Sequence, residues 1–261
     1  MGSWLECARR LERLYSFWVE KISRRCDLGH PVPSLVASTL VCASTRKEMA
    51  TPVSLPMYDF REVKAAHKAV MHTIAAHLRT SNGDAADLID AAASDSVAST
   101  AALDQSTTAA QLWNAPSLLL TQICGLALHD RIASDTSPKL QPLATPVYTV
   151  PGCTPGAYKA WIVTRSEASA TYTCLSDLAG ARVAVNHIDS YSGCIGLRAA
   201  AALLEPTATP PILFFEPSAI VTGSHRASLA AVREARADCA SIDCVTWALL
   251  ERHCPHELRE L

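Results

Sequence analysis

Apolar positions along the chain follow two rhythms, helical spacing in some stretches and short continuous runs in others. Trp4, Leu5, Leu11, Leu14, Trp18, Val19 and Ile22 recur at roughly helical spacing with arginines between them, predicting an amphipathic helix. Val53 to Tyr58 reads as a strand ending in a polar turn at Asp59. A helix is expected from Arg61 to Arg79, with Val63, Ala66, Val70, Ile74 and Leu78 on one face and Ser81-Asn82-Gly83 as its stop. Residues 84–111, rich in Ala, Ser, Thr and Asp, read as a soft helix or a surface segment. Ser117 to Thr121 and Leu143 to Val150 read as strands, and Pro151 to Gly156 as a loop. Further strands are expected at Ala160 to Thr164 and Arg182 to Asn186, with a helical turn at Leu175 to Gly180 between them.

Two later units repeat the order strand, polar turn, helix. Val183-Ala184-Val185 passes through Asn186-His187-Ile188-Asp189 and Ser190-Tyr191-Ser192-Gly193 into a helix ending near Leu204. Ile212 to Phe215 and Ala219 to Val221 lead through Thr222-Gly223-Ser224-His225 into a helix reaching about Arg236. A strand at Asp238 to Ile242 follows, with Asp243 at its end. This repetition predicts parallel α/β architecture. In such sheets ligands bind beyond the C-terminal strand ends, where helix starts present free N–H groups and partial positive charge. An anion can bind there without Lys or Arg. Ser190, Ser192, Thr222 and Ser224 add hydroxyls, His225 adds a donor in a first helical turn, and Asp243 ends a strand at the same edge. Ser and Thr before helices are also ordinary N-caps, so both readings stay open here.

Composition narrows the classes. The 261 residues are 49% hydrophobic and 18% charged, which excludes wholesale disorder. Lys plus Arg is 23 and Asp plus Glu is 25, so no basic excess points to nucleic acid. No apolar run approaches the ~18 residues of a transmembrane span. The ten cysteines contain no Cys-x-x-Cys pair, and several read as small buried hydrophobes in a reducing compartment. Cys239, Cys244, His253, Cys254 and His256 fit no standard zinc spacing, and His67, His72 and His77 fall about 140° apart on a helix, so no metal is expected. The start of the chain lacks the apolar core of a secretory signal directly after a basic stretch. A cytoplasmic location is therefore expected, and Met49 stands as an alternative start.

Leu55-Pro56-Met57-Tyr58-Asp59, Gln122-Ile123-Cys124-Gly125, Val183-Ala184-Val185-Asn186, Asp189-Ser190-Tyr191-Ser192-Gly193, Thr222-Gly223-Ser224-His225-Arg226-Ala227-Ser228 and Ala240-Ser241-Ile242-Asp243-Cys244-Val245-Thr246-Trp247 occur in that order. From about Val53 to Arg252 the chain resembles the phosphate/phosphonate-type substrate-binding proteins of ABC transporters. The resemblance implies a two-lobed type 2 periplasmic-binding-protein-like α/β fold, with mixed sheets flanked by helices, that closes on a ligand. It implies that Ser190, Tyr191 and Ser192 hold a phosphate or phosphonate group and that His225 makes a second anion contact. By the same resemblance Asp243 meets a cationic part of the ligand, Tyr58 is a cleft aromatic, and Gln122, Cys124 and Tyr148 are further cleft residues.

The expected organisation is an N-terminal extension at 1–48, a first lobe at 49–157, a second lobe at 158–252 and a tail at 253–261. Family members continue past the segment matching Arg252, so the first lobe is expected to be truncated. The expected function is capture of a small oxyanion, with an ABC transporter permease as partner, no cofactor and no catalysis. Keeping that role implies an extracytoplasmic location. Two alternatives stay open: an enzyme using Cys124 or a His225–Asp243 pair, and a truncated paralogue acting as an interaction or sensor module.

Overall fold

The computed structural model describes residues 39–43, 53–58, 60–79, 113–114, 118, 120–134, 140–154, 157–169, 171–204, 214–215 and 219–261. The amphipathic stretch from Trp4 to Ile22 and the segment 84–111 lie outside the described residues. The described chain is mixed α/β and divides into two compact units, Val36–Tyr148 and, among its described residues, Thr149–Leu261.

In the unit Val36–Tyr148, a four-stranded sheet has the order β2-β3-β1-β4, with β1 Thr39–Ala43, β2 Val53–Ser54, β3 Leu120–Ile123 and β4 Leu140–Ala144. β1 pairs antiparallel with both β3 and β4, and β2 pairs parallel with β3. β1 lies within the segment read as an N-terminal extension. Helix α1 (Lys64–Leu78) continues a 3-10 turn at Arg61–Val63. Among its described side chains Met71 and Ala75 are buried, together with Val63 just before it, while Val70 is exposed. The expected stripe through Ala66 and Val70 is therefore rotated, because Val63, Met71 and Ala75 repeat at steps of eight and four. Helix α2 (Gly125–Ala133) follows β3, and Leu118, Ile123, Leu128 and Leu140 form a common core beside Trp113.

Two strand expectations shrink here. The strand expected at Val53–Tyr58 stops at Ser54, and Tyr58 turns the chain with φ of 62°. That expected at Leu143–Val150 is displaced to Leu140–Ala144, and residues 145–149 form no regular element. Pro142 is accommodated because β4 is an edge strand, whereas Pro146 lies beyond its end.

In the unit Thr149–Leu261, the sheet order is β7-β10-β8-β9, with β7 Ala160–Thr164, β8 Val183–Val185, β9 Ile220–Val221 and β10 Cys239–Asp243. β8, β9 and β10 are mutually parallel through their pairings, whereas β7 runs antiparallel to β10, so the sheet is mixed. Alternation sorts the side chains by face. Ala184, Ala240 and Ile242 pack with Leu229, Val232 and Leu250 from helices α4 (His225–Arg233) and α5 (Cys244–His253). Val183, Val185 and Cys239 pack on the other face with Leu197 and Ala201 of helix α3 (Gly196–Leu204) and with Phe214 and Phe215. β10 is buried along its whole length, as expected of a central strand covered on both faces.

The stretch expected as a loop at Pro151–Gly156 contains one arm of a small antiparallel pair, β5 (Cys153–Thr154) with β6 (Ala157–Tyr158). The segment read as a tail packs on this unit. Arg233 Nη1 donates to the Glu257 carbonyl at 2.9 Å, and Ser166 N–H donates to the Glu260 carbonyl at 2.8 Å.

Candidate functional site

Both polar turns lie where parallel strands hand over to helices. After β8, Ser190 accepts a hydrogen bond from Gly193 N–H at 3.2 Å, capping a π-type turn over Tyr191–Ile195 that runs into α3. The wide turn arises because Ile195 N–H donates to the Ser190 carbonyl five residues back. Such turns recur at functional sites. After β9, Ser224 accepts from Ala227 N–H at 3.1 Å and caps α4, placing His225 at the first helical position. After β10 no loop intervenes: Asp243 accepts from Thr246 N–H at 2.8 Å and caps α5 directly.

These three junctions bring Ser192, His225 and Asp243 together. Ser192 Oγ lies 3.1 Å from His225 Nε2, and Asp243 Oδ2 lies 3.4 Å from that same nitrogen. Ser241 Oγ, from within β10, donates to the Ser192 carbonyl at 2.6 Å and ties the first turn to the central strand. Asp243 is almost wholly buried, and His225 Nδ1 is buried without a hydrogen-bond partner. Burial lowers the His225 pKa, with the Asp243 carboxylate and then the Ser241 backbone acting in the opposite direction. The hydrogen bond at Nε2 is with the Ser192 hydroxyl, and the Asp243 carboxylate meets the same nitrogen as a close charge contact.

Asn186 belongs to the same place and is absent from the residues singled out by sequence. It ends the run after β8, and its Oδ1 is buried without a partner. A Cβ added at Gly193 would sit 1.9 Å from that oxygen and 2.9 Å from His225 Cε1, so only glycine permits this approach. A buried acceptor with no donor was not visible in spacing. The signal was the Asn at a strand end facing a glycine in the next turn.

The other serines and threonines are less open. The Ser190 and Ser224 oxygens are occupied as caps, although each keeps a hydroxyl hydrogen. Thr222 Oγ1 lies 2.7 Å from Ser228 Oγ and 3.1 Å from both the Val185 and Ser224 carbonyls, which joins β8 to the start of α4. Tyr191 is half-buried in the π-type turn.

In the unit Val36–Tyr148 a second cluster forms from Tyr58, Gln122 and Tyr148. The two rings meet edge to face at 5.3 Å, and Gln122 Nε2 donates to Tyr148 Oη at 3.2 Å. Trp113 Nε1 donates to the Gln122 carbonyl at 3.2 Å, while Gln122 Oε1 is buried without a partner. Cys124 is half-buried and opens α2 without a side-chain cap bond. No group of three His, Cys, Asp or Glu residues among those described could hold a metal ion. Cys239 and Cys244 lie at either end of β10, roughly 16 Å apart along an extended strand.

A sheet whose parallel strands end in Ser- and Gly-bearing helix starts offers a ligand-binding edge of the open α/β kind. The family model for the periplasmic substrate-binding protein of phosphonate ABC transporters matches residues 127–261, just over half of the chain. The chain belongs to this family. The matched span includes Tyr148, both polar turns and Asp243, and begins after Tyr58, Gln122 and Cys124. The family implies a small-molecule ligand and a transporter permease as partner. No curated protein matches the chain. Among the described residues no helix is long and apolar enough to cross a membrane.

Proposed function

We propose that the protein captures a phosphate or phosphonate group at the turns around Ser192 and His225 and delivers it to an ABC transporter. The observation that carries this reading is the convergence of Ser192 Oγ and His225 Nε2, 3.1 Å apart, at the starts of two helical segments. Ser190 and Ser224 contribute their remaining hydroxyl hydrogens, and the backbone N–H groups of both turns supply the rest of the field. Charge-assisted bonds exceed neutral ones, so a dianion is preferred. Asp243 would repel that dianion if it stood alone. In this reading the His225 ring comes between them, and Asp243 also serves an amine on the ligand. Tyr58, Gln122, Cys124 and Tyr148 are, by the same family likeness, further candidates for ligand contact.

Calorimetry with phosphate, phosphite, methylphosphonate and 2-aminoethylphosphonate tests the reading. Binding of at least one, weakened by Ser192→Ala, supports it, whereas folded protein that binds none of the four sinks it.

Enzymatic use of His225 and Asp243 finds little support in the geometry. A relay needs the carboxylate on one ring nitrogen and the reacting hydroxyl on the other. Here both contacts fall on Nε2.

A further inference from the structure

A second piece of chemistry lies beside Asp243 and plays no part in anion binding. The Sγ atoms of Cys153 and Cys244 are 3.4 Å apart, with the first on β5 and the second at the start of α5. The backbone holds them in this position. Cys244 N–H donates to the Lys159 carbonyl at 3.0 Å, and Lys159 N–H donates to the Gly152 carbonyl at 2.9 Å. Gly152 makes the approach possible: its φ is +92°, and a Cβ there would lie 3.0 Å from Cys244 Cβ and 3.3 Å from Trp161 Cζ2. A disulfide needs its sulfurs at about 2.05 Å, so closing the present gap takes a shift of little more than 1 Å. Rotation of two side chains supplies much of that.

We propose that Cys153 and Cys244 are a disulfide-forming modification site that takes a small-molecule or protein disulfide as oxidant. Cys153 is half-buried and Cys244 buried, so the oxidant reaches Cys153 first. With oxidised glutathione, the Cys153 thiolate attacks one glutathione sulfur, forms a mixed disulfide and releases one glutathione thiolate. Cys244 then loses its proton to solvent and attacks Cys153 Sγ, releasing the second glutathione thiolate. Two protein thiols are oxidised, and one oxidised glutathione becomes two reduced molecules. Burial, and then the contact with Cys244, push the Cys153 thiol up to about 12, so exchange is slow at neutral pH and accelerates as pH rises. The bond would fasten the β5–β6 hairpin to the helix that Asp243 caps. It would persist in an oxidising compartment and open in a reducing one.

The test uses the full chain, fully reduced, then exposed to oxidised glutathione, quenched by alkylation and digested without reductant. Mass spectrometry is expected to find one peptide pair joining Cys153 to Cys244, lost on reduction. Its rate should rise about tenfold per pH unit between about 7 and 9. Exposed Cys174 should carry glutathione instead. The same treatment in urea should scatter the pairing. Cys153→Ser should leave Cys244 unreacted in folded protein. Recovery of Cys153 and Cys244 both alkylated, each as a glutathione adduct, or paired with other cysteines overturns the proposal. Because no ligand is used, failure here is distinct from failure of anion binding.

Discussion

His225 meets Asp243 through Nε2, 3.4 Å from Oδ2, and leaves Nδ1 buried without a hydrogen bond. The carboxylate thus orients the ring and works against the burial that otherwise disfavours its charged form. The same nitrogen faces Ser192, which is the hydroxyl best placed to donate to a ligand.

Replacing Ser192 by Ala should weaken phosphonate or phosphate binding by roughly 10- to 100-fold, the span of one hydrogen bond to a charged group. Its thermal unfolding should barely change. Ser224→Ala removes the cap of α4 and should lower stability by about 1 kcal/mol. Calorimetry and thermal melts on the two variants separate Ser192, a ligand contact alone, from Ser224, which also caps a helix. Equal affinity of Ser192→Ala and wild type would remove Ser192 from the site.

Protonation of His225 should couple to both stability and binding. Its folded pKa lies below the unfolded value of about 6.5, so the unfolded chain takes up the proton first as pH falls. The His225 contribution to stability is therefore complete above about 6.5 and is lost as pH falls toward the folded pKa. A bound anion acts in the other direction by favouring the imidazolium. Binding heats measured in buffers of different ionisation enthalpy should show proton uptake that disappears in His225→Gln. Identical uptake in wild type and variant would refute the coupling.

Gly193→Ala should be far more damaging than a surface Gly→Ala change. The new methyl would collide with Asn186 Oδ1 and press on His225 Cε1. A loss of about 1–3 kcal/mol is expected, together with loss of anion binding. Asn186→Ala should spare the fold, because its Oδ1 has no partner to lose. A melt of Gly193→Ala matching wild type would show that the turn has room to relax.

The C-terminal turn should be acid-sensitive. Arg226 Nε donates to Glu257 Oε2 at 2.6 Å, and Arg226 Nη2 also pairs with Oε1. Arg226 foremost holds the Glu257 carboxyl below its ordinary range. The stabilisation is thus present above the unfolded pKa of about 4.3 and is lost as pH falls through the lower folded value. Partial exposure limits it to about 1 kcal/mol. The melting difference between wild type and Glu257→Gln should therefore shrink between about pH 6 and pH 3. A constant difference would mean that Glu257 acts through packing alone.

The second unit was legible because β8, β9 and β10 each lead into a helical segment capped by Ser190, Ser224 or Asp243. Local rules therefore placed Ser192, His225 and Asp243 at one sheet edge before any tertiary contact was known. The order of β7 was not legible, because a strand's direction relative to its neighbour leaves no trace in its own alternation. Asn186 stood in a family motif but not among the expected site residues, because its importance lies in an oxygen without a partner, which is a property of the packed state. Tyr58, Gln122 and Tyr148 entered only through family likeness, since no periodicity links residues 58, 122 and 148. β1 (Thr39–Ala43) falls within the stretch expected as an N-terminal extension, where no strand was expected. Pairing on both sides depends on chain segments about 80 and 100 residues later.

That strand decides what counts as the minimal folding unit. β1 is the shared neighbour of β3 and β4, which have no pairing with each other. A chain begun at Met49 would keep every proposed anion contact yet split this sheet into a β2–β3 pair and a lone β4. Four unpaired strand edges would replace the two of the intact sheet, each a template for self-association. Translation from Met49 should therefore give a protein limited by solubility rather than by ligand recognition.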